Sequence, residues 1–389
     1  LKTKTIASSE RLMSGTDSFR FFKGWILSGG VKRLEDFLKN NNIPYYMVTE
    51  KPSRADDVPI VFENKKPIEP FEVVTDLYGK PNYYEPDPTP WLAPFFAAFF
   101  GICMADALYG LIISAAGIFG LSKLKSASAR KFMKLVLYCG ASTTIFGVLV
   151  GGYFGNIIDR FGIFSPLVPF KNRLMVFDPL KNSIVFLGGC LTLGLVQTLL
   201  GSGIKFFTDI KNSSWRDALI GDLPTIGIQL VFPLIVMNGV FGVKLLPMNA
   251  LLAALAIFSV LLMINQWIVS DGIVLKLFQM FFSVYGAITS NALSDVLSYS
   301  RLFALGLSTS LLAIVLNEIA ALGFSIPYVG YILGTAVIIL FHPFILAIGS
   351  LGAYVHTSRL QYLEFFNKFF QGGGREMRPL AFERKYTGL

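Results

Sequence analysis

The stretch SDVLSYSRLFALGLSTSLLAIVLNEIA, residues 294–320, is apolar enough to cross a bilayer and still contains one arginine, Arg301. A helix needs about 20 apolar residues to span the hydrocarbon core. A charge at mid-membrane costs about 2.5–3.5 kcal/mol even on the most lenient scale, and such a residue usually faces a partner or water rather than lipid. This stretch therefore predicts a membrane helix on which Arg301 has a function.

The composition indicates that the whole chain is a membrane protein. Of its 389 residues, 53% are hydrophobic and only 15% are charged, whereas roughly 25% are charged in soluble domains. The net charge of +9 would suggest a nucleic-acid partner in a soluble protein. Here the basic residues cluster between apolar runs, which is the pattern of orientation in a membrane. We therefore expect contact with the lipid bilayer and no nucleic acid.

Common catalytic, nucleotide and metal motifs are missing from the sequence. No G-x-x-x-x-G-K-[ST] loop is present, and no nucleophile lies beside a base at a recognisable spacing. The three cysteines, Cys103, Cys139 and Cys190, lie singly in apolar runs and are predicted to be buried without disulfides. His342 and His356 lack clustered Cys or carboxylate ligands. We expect no cofactor and no metal.

Apolar runs recur from Trp91 onward and predict the membrane segments. Seven are long enough to span, and a weaker run covers 276–292. The seven are 93–121, 134–155, 183–204, 219–240, 248–268, 294–322 and 328–358. The spacing of Gly147, Gly151 and Gly155 predicts a helix face for close packing.

The basic residues between these runs predict the topology. The loop from Lys123 to Lys134, the loop from Lys205 to Arg216 and the tail from Lys368 to Lys385 are all basic, and the positive-inside rule places them in the cytoplasm. The second loop and the tail are then on the same side, so an even number of crossings must lie between them. Four strong runs already do, and 276–292 must therefore lie at the cytoplasmic surface or extend its neighbour. If residues 1–92 are also cytoplasmic, the run 93–121 must cross the membrane twice, as a hairpin bending near 101–106, or not at all. We favour the hairpin, which gives eight crossings with both termini inside.

Residues 1–92 are mixed and polar and predict a soluble segment. GWILSGGVKRLEDFLKNNNIPYYMV, residues 24–48, predicts a short strand, a helix with Val31, Leu34, Phe37 and Leu38 on one face, and a second strand after Pro44. The expected domains are the end of a cytoplasmic α/β domain with its stalk at 1–70, a Pro-rich linker at 71–92, an ion-translocation domain at 93–370 and a cytoplasmic tail at 371–389.

Intramembrane polar residues concentrate in the last two long runs. Ser298, Arg301 and Ser308 follow helical spacing on one face, and Asp295 lies six residues before Arg301. Glu318 lies 17 residues after Arg301, about 25 Å along a helix. His356, Arg359 and Glu364 form a second polar seam. Serines also mediate plain helix packing, and Glu318, Glu364 or Arg359 at helix ends would simply reach headgroup water.

Arginine as the intramembrane charge favours one kind of mechanism. Arginine cannot release its proton in a protein, so it does not suit a proton relay. A permanent cation instead forces a passing carboxylate to ionise and release its ion, and it blocks leakage. Because Asp295 is more than a turn away, Arg301 must find its partner elsewhere. We therefore predict a carboxylate on another, moving subunit.

These residues resemble the membrane stator subunit, subunit a or subunit I, of V-type and A-type rotary ATPases. SDVLSYSRLFALGLSTS looks like the segment around its essential arginine, and HTSRLQYLEFFNKFF looks like its final helix with a second arginine. DPTPWLAPFFAAFFGICMADALYGL resembles its first membrane segment, and FKGWILSGG with DDVPIVFEN resembles the end of its cytoplasmic domain. Four motifs in family order cover nearly the whole chain.

The resemblance implies an all-α polytopic transmembrane protein with about eight membrane helices, the last two long and tilted, preceded by the end of a small cytoplasmic α/β domain. It implies a non-catalytic stator that forms two ion half-channels against a proteolipid c-ring, with ATP hydrolysed on partner subunits. The implied partners are that ring (subunit c/K), peripheral and central stalk subunits, and transported H⁺ or Na⁺. By position, Arg301 and Arg359 match the two arginines, and His356 and Glu364 match half-channel residues.

The chain also departs from the family pattern. Eukaryotic members carry a glutamate ten residues before the second arginine, where this sequence has Gly349. The resemblance therefore does not identify the residues that line the half-channels, and Glu318 is our candidate for the external side. The family begins with a long two-helix arm of which only the end is found here. We therefore expect a piece of a longer, multi-pass protein of the prokaryotic plasma membrane, or of an endomembrane in a eukaryote.

Two other classes of protein compete with the stator interpretation. A self-contained secondary ion transporter would need a substrate site within one chain, often built from inverted repeats, and the sequence has no internal repeat. A membrane enzyme would need a dense catalytic cluster, which the sequence does not show. Whether the ion is H⁺ or Na⁺ depends on a site outside this chain.

Overall fold

The structure, a computed structural model, describes residues 14–15, 19–53, 56–212, 215–242 and 246–377. These residues form two compact units. The smaller unit contains the described residues up to 63, residues 79–84 and the described residues from 372. The larger unit contains residues 64–78 and 85–371, and it includes every predicted membrane segment.

The smaller unit contains one helix and four very short strands. Helix α1, Val31–Asn40, follows a 3₁₀ turn at Ser28–Gly30. Strand β1, Ser14–Gly15, pairs antiparallel with β2, Arg20–Phe21, and β3, Pro59–Ile60, pairs parallel with β4, Arg375–Glu376. The predicted helix is present, but the predicted flanking strands are not formed. A strand is held by hydrogen bonds to a neighbour, and residues 22–27 and 44–48, which flank α1, have no such ladder.

The larger unit is built almost entirely of helices. Short helices and connecting turns lie between the longer apolar helices. The α-helices are α2 Glu72–Tyr78, α3 Thr89–Met104, α4 Ala107–Lys123, α5 Ala127–Val150, α6 Ile157–Arg160, α7 Val168–Leu174, α8 Ser183–Lys211, α9 Leu223–Phe241, α10 Met248–Val269, α11 Ile273–Gly286, α12 Asp295–Ser298, α13 Ser300–Phe324 and α14 Gly330–Arg359. The 3₁₀ segments are Glu69–Phe71, Gly162–Leu167 and Phe366–Lys368, and the π-helical segments are Asp217–Asp222, Ala287–Ser294 and Leu360–Phe365.

Six helical stretches of the described chain are long and apolar enough to cross a membrane. They are Ala127–Val150, Ser183–Lys211, Asp217–Gly239, Met248–Val269, Ile273–Phe324 and Gly330–Lys368. Helices α3 and α4 are apolar but shorter. The weak run 276–292 is part of the 52-residue stretch that ends at Phe324, so it extends its neighbour. The total of eight crossings remains a prediction.

The first apolar run folds as a hairpin of α3 and α4. Ala105 takes the left-handed conformation, with φ of 41°, and Asp106 caps α4 by accepting hydrogen bonds from Leu108 N and Tyr109 N. Helix α4 runs antiparallel to α5, since a Cβ on Gly117 would lie 2.9 Å from Leu137 N and one on Gly147 would meet Ala107. Helix α3 runs parallel to α5, with Ser142 donating to the Ala97 carbonyl. The two short helices are therefore antiparallel to each other.

The predicted packing face at Gly147, Gly151 and Gly155 is wrong as a single helix face. Helix α5 ends at Val150, and Gly151 and Gly155 both have positive φ. Gly155 instead brings the loop after α5 close to α13, because a Cβ there would lie 2.8 Å from Ile314 N. The loop therefore does approach α13 closely, but through a turn and not through a helix face. Glycine adopts the left-handed conformation with which a helix ends, and this explains why α5 stops here.

An aromatic core joins α2 to the long helices. Phe71 stacks on Tyr138 with ring centroids 5.9 Å apart, and Tyr78 lies 5.2 Å from Tyr362. Tyr362 also donates a hydrogen bond to the Val74 carbonyl. The sequence interpretation assigned Phe71, Val74 and Tyr78 to the linker at 71–92. In the structure, burial of their apolar side chains makes them part of the larger unit.

Candidate functional site

Helix α13 presents Arg301 at the border between a buried and an open face. Its buried side chains recur at helical spacing and pack on α3 and α14; they are Leu302, Thr309, Ala313, Asn317 and Ala320. Gly306 allows the closest approach, because a Cβ there would lie 2.6 Å from the Ile102 carbonyl oxygen. The open face is apolar except for Ser308 and Glu318, and it includes Leu311, Leu312, Val315 and Ile319. Arg301 itself is 33% exposed.

The nearest described carboxylate to Arg301 is Glu364 of the Leu360–Phe365 segment. Arg301 Nη1 lies 3.6 Å from Glu364 Oε1, and Glu364 is only 6% exposed. That separation is too long for a hydrogen bond, and Nη1 has no hydrogen-bond partner among the described residues. The guanidinium is therefore held near a buried anion without being locked to it.

Polar atoms around Glu364 share this lack of partners. Within the described chain, five buried side-chain atoms between residues 356 and 364 make no hydrogen bond; they are His356 Nδ1, Thr357 Oγ1, Ser358 Oγ, Gln361 Nε2 and Glu364 Oε2. A buried polar atom without a partner costs about 1–3 kcal/mol. Such a cluster indicates a place that interacts with water or an ion.

A hydrogen-bonded triad that sequence reasoning missed lies next to this cluster. Gln197 of α8 donates to Gln361 Oε1 at 2.6 Å, and Tyr299 donates to Gln197 Oε1 at 2.8 Å. All three side chains are buried. Gln197 was visible in the sequence as an amide inside an apolar run, which is a costly placement in a membrane. The triad ties the segment before α13 to the end of α14.

Asp295 and Lys368 form a second polar group, and it does not include Arg301. Lys368 Nζ makes an ion pair with Asp295 and also donates to Asn291 Oδ1 at 2.8 Å. Both charged side chains are mostly buried. Further along α8 and α9, Ser202 donates to Gln229 at 2.8 Å, and Lys205 pairs with Asp222 at 2.7 Å. Polar groups thus line the ends of the helices that carry the predicted cytoplasmic loops.

The structure brings together some of the predicted site residues and separates others. Ser298 and Arg359 both lie near the Glu364 carboxylate, and Arg359 is exposed. Ser308 is exposed on a different face of α13 from the buried residues, and it donates a hydrogen bond to the Leu305 carbonyl. Glu318 lies far along α13 and pairs with Arg160 of α6 at 3.0 Å. Glu318 therefore belongs to a different part of the structure from Arg301.

The positions of these side chains follow from two helix irregularities. Both Asp295 and Glu364 adjoin or lie in π-helical segments, Ala287–Ser294 and Leu360–Phe365. A π-turn rotates the following side chains relative to an α-helix, and such turns are frequent at functional sites. Arg301 and Glu364 lie on different helical segments, so spacing within one run of the sequence could not pair them.

The sequence of this chain is similar to one family model and to several curated proteins. Residues 289–382 match the family model described as the V-type ATPase 116kDa subunit family. The chain is 30% identical over 96% of its length to A-type ATP synthase subunit I of Methanocaldococcus jannaschii, covering 56% of that protein. It is 33% identical over 94% of its length to the Pyrococcus abyssi protein of the same name, covering 54% of it.

A bacterial relative matches less of the chain. V-type ATP synthase subunit I of Borreliella burgdorferi is 28% identical over 78% of this chain and is covered over 51% of its own length. The chain thus spans about half the length of the curated relatives it matches. Its matched segment contains Arg301, Arg359, Glu364 and Asp295. Over nearly its whole length the chain is therefore similar to subunit I of A-type ATP synthases, and its C-terminal part matches the V-type ATPase 116kDa subunit family.

Proposed function

We propose that this chain is the stator subunit of the membrane sector of a rotary V/A-type ATPase and that it couples rotation of a proteolipid ring to the movement of H⁺ or Na⁺. The observation that supports this proposal most directly is the state of Arg301. Its side chain is 33% exposed at the border of an open helix face, and the buried Nη1 atom has no hydrogen bond within the described chain. A cation held in this way is available to a carboxylate on another protein.

The proposed mechanism is electrostatic and involves no catalysis by this chain. A ring carboxylate arrives with its ion bound, meets the fixed charge of Arg301, ionises, and releases the ion. Two unit charges about 4 Å apart interact by about 4 kcal/mol at an effective dielectric constant of 20. Moving one charge against 100 mV costs about 2.3 kcal/mol. One encounter with Arg301 is therefore strong enough to drive release against a membrane potential, with ATP hydrolysed on partner subunits.

The open faces of α13 and α14 are the proposed contact with the ring. The side chains exposed there are apolar, including Leu312, Val315, Leu351 and Val355. Arg301 and Arg359 contribute the cations along this surface. An apolar surface with two cations suits a ring of hydrophobic helices that each carry one carboxylate. Stalk subunits and the bilayer would complete the surroundings of the chain.

Two separate polar regions are the proposed half-channels. On the predicted cytoplasmic side, the group of Asp295, Lys368 and Asn291 leads to Glu364 and the unpaired atoms from His356 onward. On the opposite side, which we term the far side, Glu318 and Arg160 form an exposed ion pair. Because the two regions lie at different levels of α13 and α14, an ion has to travel with the ring between them.

Cysteine cross-linking tests the proposal, with two adjacent positions of α13 as probe and control. Ser308 is exposed and Thr309 is buried against the Cys103 carbonyl. In the assembled complex, Ser308→Cys should form a disulfide with a cysteine beside the carboxylate of a co-expressed proteolipid, whereas Thr309→Cys should not. The native cysteines are all buried, and their replacement by alanine removes competing reactions.

The result distinguishes the stator from the self-contained transporter. A cross-link from Ser308→Cys whose partner position changes after ATP is added would support a contact with a moving ring. Absence of the cross-link in a well-assembled complex, or equal reaction at Thr309→Cys, would contradict the proposed contact. The open face of α13 would then lie against lipid, and a transporter that works alone would become the better explanation.

A further inference from the structure

A second buried polar network lies far from Arg301 and has no part in the mechanism above. His342 of α14 is hydrogen-bonded on both ring nitrogens, with Nδ1 at 2.7 Å from the Tyr109 hydroxyl and Nε2 at 3.2 Å from Asn317 Oδ1. Asn317 Nδ2 in turn donates to the Phe154 carbonyl at 2.7 Å and to Asn156 Oδ1 at 3.0 Å. The network joins α4, α13, α14 and the loop after α5.

The network fixes the protonation of the histidine ring. A backbone carbonyl only accepts hydrogen bonds, so the Asn317 atom beside Phe154 O is the amide nitrogen, and Oδ1 faces His342. Oδ1 accepts, so Nε2 carries the ring proton, and in the neutral ring Nδ1 then accepts from Tyr109. His342 therefore presents a free basic nitrogen to a hydroxyl on one side and an N–H to an amide oxygen on the other.

The network has a buried end and a half-exposed end. Tyr109 is 1% exposed, His342 5% and Asn317 0%. Asn156, in contrast, is partly exposed, and it begins the short helix whose Arg160 pairs with Glu318, the residue after Asn317. The histidine thus lies between the interior of the helix bundle and the proposed far-side mouth.

We propose that His342 carries protons on the far side of Arg301, so that the ion moved past this chain is H⁺ rather than Na⁺. This inference rests on the proposed function. Histidine is the side chain whose charge changes between pH 5 and 8 without perturbation. A network with only a structural role needs hydrogen bonds but no titratable group, and an amide in place of the ring would satisfy Tyr109 and Asn317 equally well.

The proton balance of the step is simple. The Tyr109 hydroxyl proton moves to His342 Nδ1 while Tyr109 takes a proton from the interior side, which gives an imidazolium ion. The imidazolium then loses its Nε2 proton to water near Asn156, which leaves the Nδ1–H tautomer. A turn of the imidazole that exchanges the sides faced by its two nitrogens then restores an N–H toward Asn317 and an accepting nitrogen toward Tyr109. One proton enters at Tyr109 and one leaves at Nε2, with no other bond made or broken.

Transport by the assembled complex in inverted membrane vesicles tests this proposal. ATP-driven proton uptake is followed with a pH-sensitive dye in Na⁺-free buffer, together with the rate of ATP hydrolysis. His342→Gln keeps an amide donor and acceptor but cannot carry a proton, so uptake should fall at least about tenfold. The thermal unfolding midpoint should stay within about 2 °C of that of the unsubstituted protein, which corresponds to less than about 1 kcal/mol.

A hydroxyl elsewhere in the bundle provides the matched control. Ser142→Ala removes a hydrogen bond from Ser142 Oγ to the Ala97 carbonyl, 2.6 Å long, and should leave proton uptake unchanged. Uptake by His342→Gln at the unsubstituted rate, or a loss of uptake that follows a loss of thermal stability, would overturn the proposal. Uptake by the unsubstituted complex that requires Na⁺ would also overturn it.

Arg301→Ala separates this proposal from the one on which it rests. If Arg301→Ala stops proton uptake while His342→Gln does not, only the role of His342 is contradicted. If Arg301→Ala pumps protons normally, the stator mechanism itself fails. Loss of uptake in both variants, with assembly and stability retained, supports both.

Discussion

The two ends of the α13–α14 pair carry polar clusters of opposite kinds. Near Arg301, five buried atoms between residues 356 and 364 have no hydrogen bond within the described chain. Near His342, every ring nitrogen and the Asn317 amide are paired. A fully satisfied network rigidifies its surroundings, whereas an unsatisfied one is costly and needs a reason. The comparison indicates that the first cluster is suited to exchange with a partner, whereas the second holds His342 between two fixed hydrogen-bond partners, as the proposed proton path requires.

Arg301→Ala should have the largest effect and should affect transport alone. Loss of a charge interaction of about 4 kcal/mol predicts a fall in ATP-driven ion transport of at least about 100-fold. The side chain is partly exposed and not hydrogen-bonded, so assembly should be retained. Vesicle transport and the yield of purified complex provide the two measurements. Normal transport, or a complex that no longer assembles, would contradict the contrast between the two clusters.

Asn317→Ala should have the opposite signature, because it removes the centre of the satisfied cluster. The change leaves the Phe154 carbonyl and the His342 Nε2–H without their partner. At about 1–3 kcal/mol for each buried group, the free energy of unfolding should fall by about 2–5 kcal/mol. Thermal unfolding in detergent measures this, with Ser325→Ala, an exposed hydroxyl on the end of the same helix, expected to change little.

Gly155→Ala should destabilise the loop that anchors the satisfied cluster. The residue has φ of +66°, and an added Cβ would lie 2.8 Å from Ile314 N. Left-handed backbone costs about 1–2 kcal/mol for alanine, and overpacking costs about 1–3 kcal/mol, so we expect a loss of about 2–4 kcal/mol. Gly189→Ala is the control, since a Cβ there meets nothing within 4 Å. Equal stability of the two variants would contradict the prediction, because it would show that the loop after α5 shifts to accommodate the added Cβ.

Glu364→Gln should have the smallest effect on stability. Glu364 makes no hydrogen bond with Arg301 at 3.6 Å, and glutamine keeps the size of the side chain and an acceptor oxygen, so the free energy of unfolding should change by less than about 1 kcal/mol. Asp295→Asn is the contrasting variant, because it breaks a mostly buried ion pair with Lys368 and should cost about 3 kcal/mol. Equal losses of stability in the two variants would contradict this prediction, because they would mean that Glu364 holds Arg301 as tightly as Asp295 holds Lys368.

The sequence predicted the membrane class and several structural features, because apolar length and charge are local properties. The hairpin at Ala105 and the continuation of 276–292 into its neighbour follow from counting crossings and are present in the structure. The pairing of Glu364 with Arg301 and the triad of Gln197, Gln361 and Tyr299 were not predicted. They depend on π-turns and on contacts between helices distant in the chain, and neither leaves a periodic signal in the sequence.

The far-side residues show the same limit. Arg301 and Glu318 lie on one continuous helix, so the regular helical rise used for the sequence prediction applies between them. The pairing of Glu318 with Arg160 and the His342 network were not predicted, because both depend on the loop after α5 folding back onto α13. A lone histidine in an apolar run has no recognisable spacing, so only the three-dimensional arrangement shows its two partners.

The short hairpin of α3 and α4 has a consequence for how the protein is made. With 16 and 17 residues, each helix is below the roughly 20 residues that span a bilayer, so neither is suited to insertion alone. The two helices lie on α5, which is synthesised after them. We expect the hairpin to enter the membrane as a pair and to settle only once α5 has left the ribosome, so that a nascent chain stopped at Lys123 would remain extractable from the membrane.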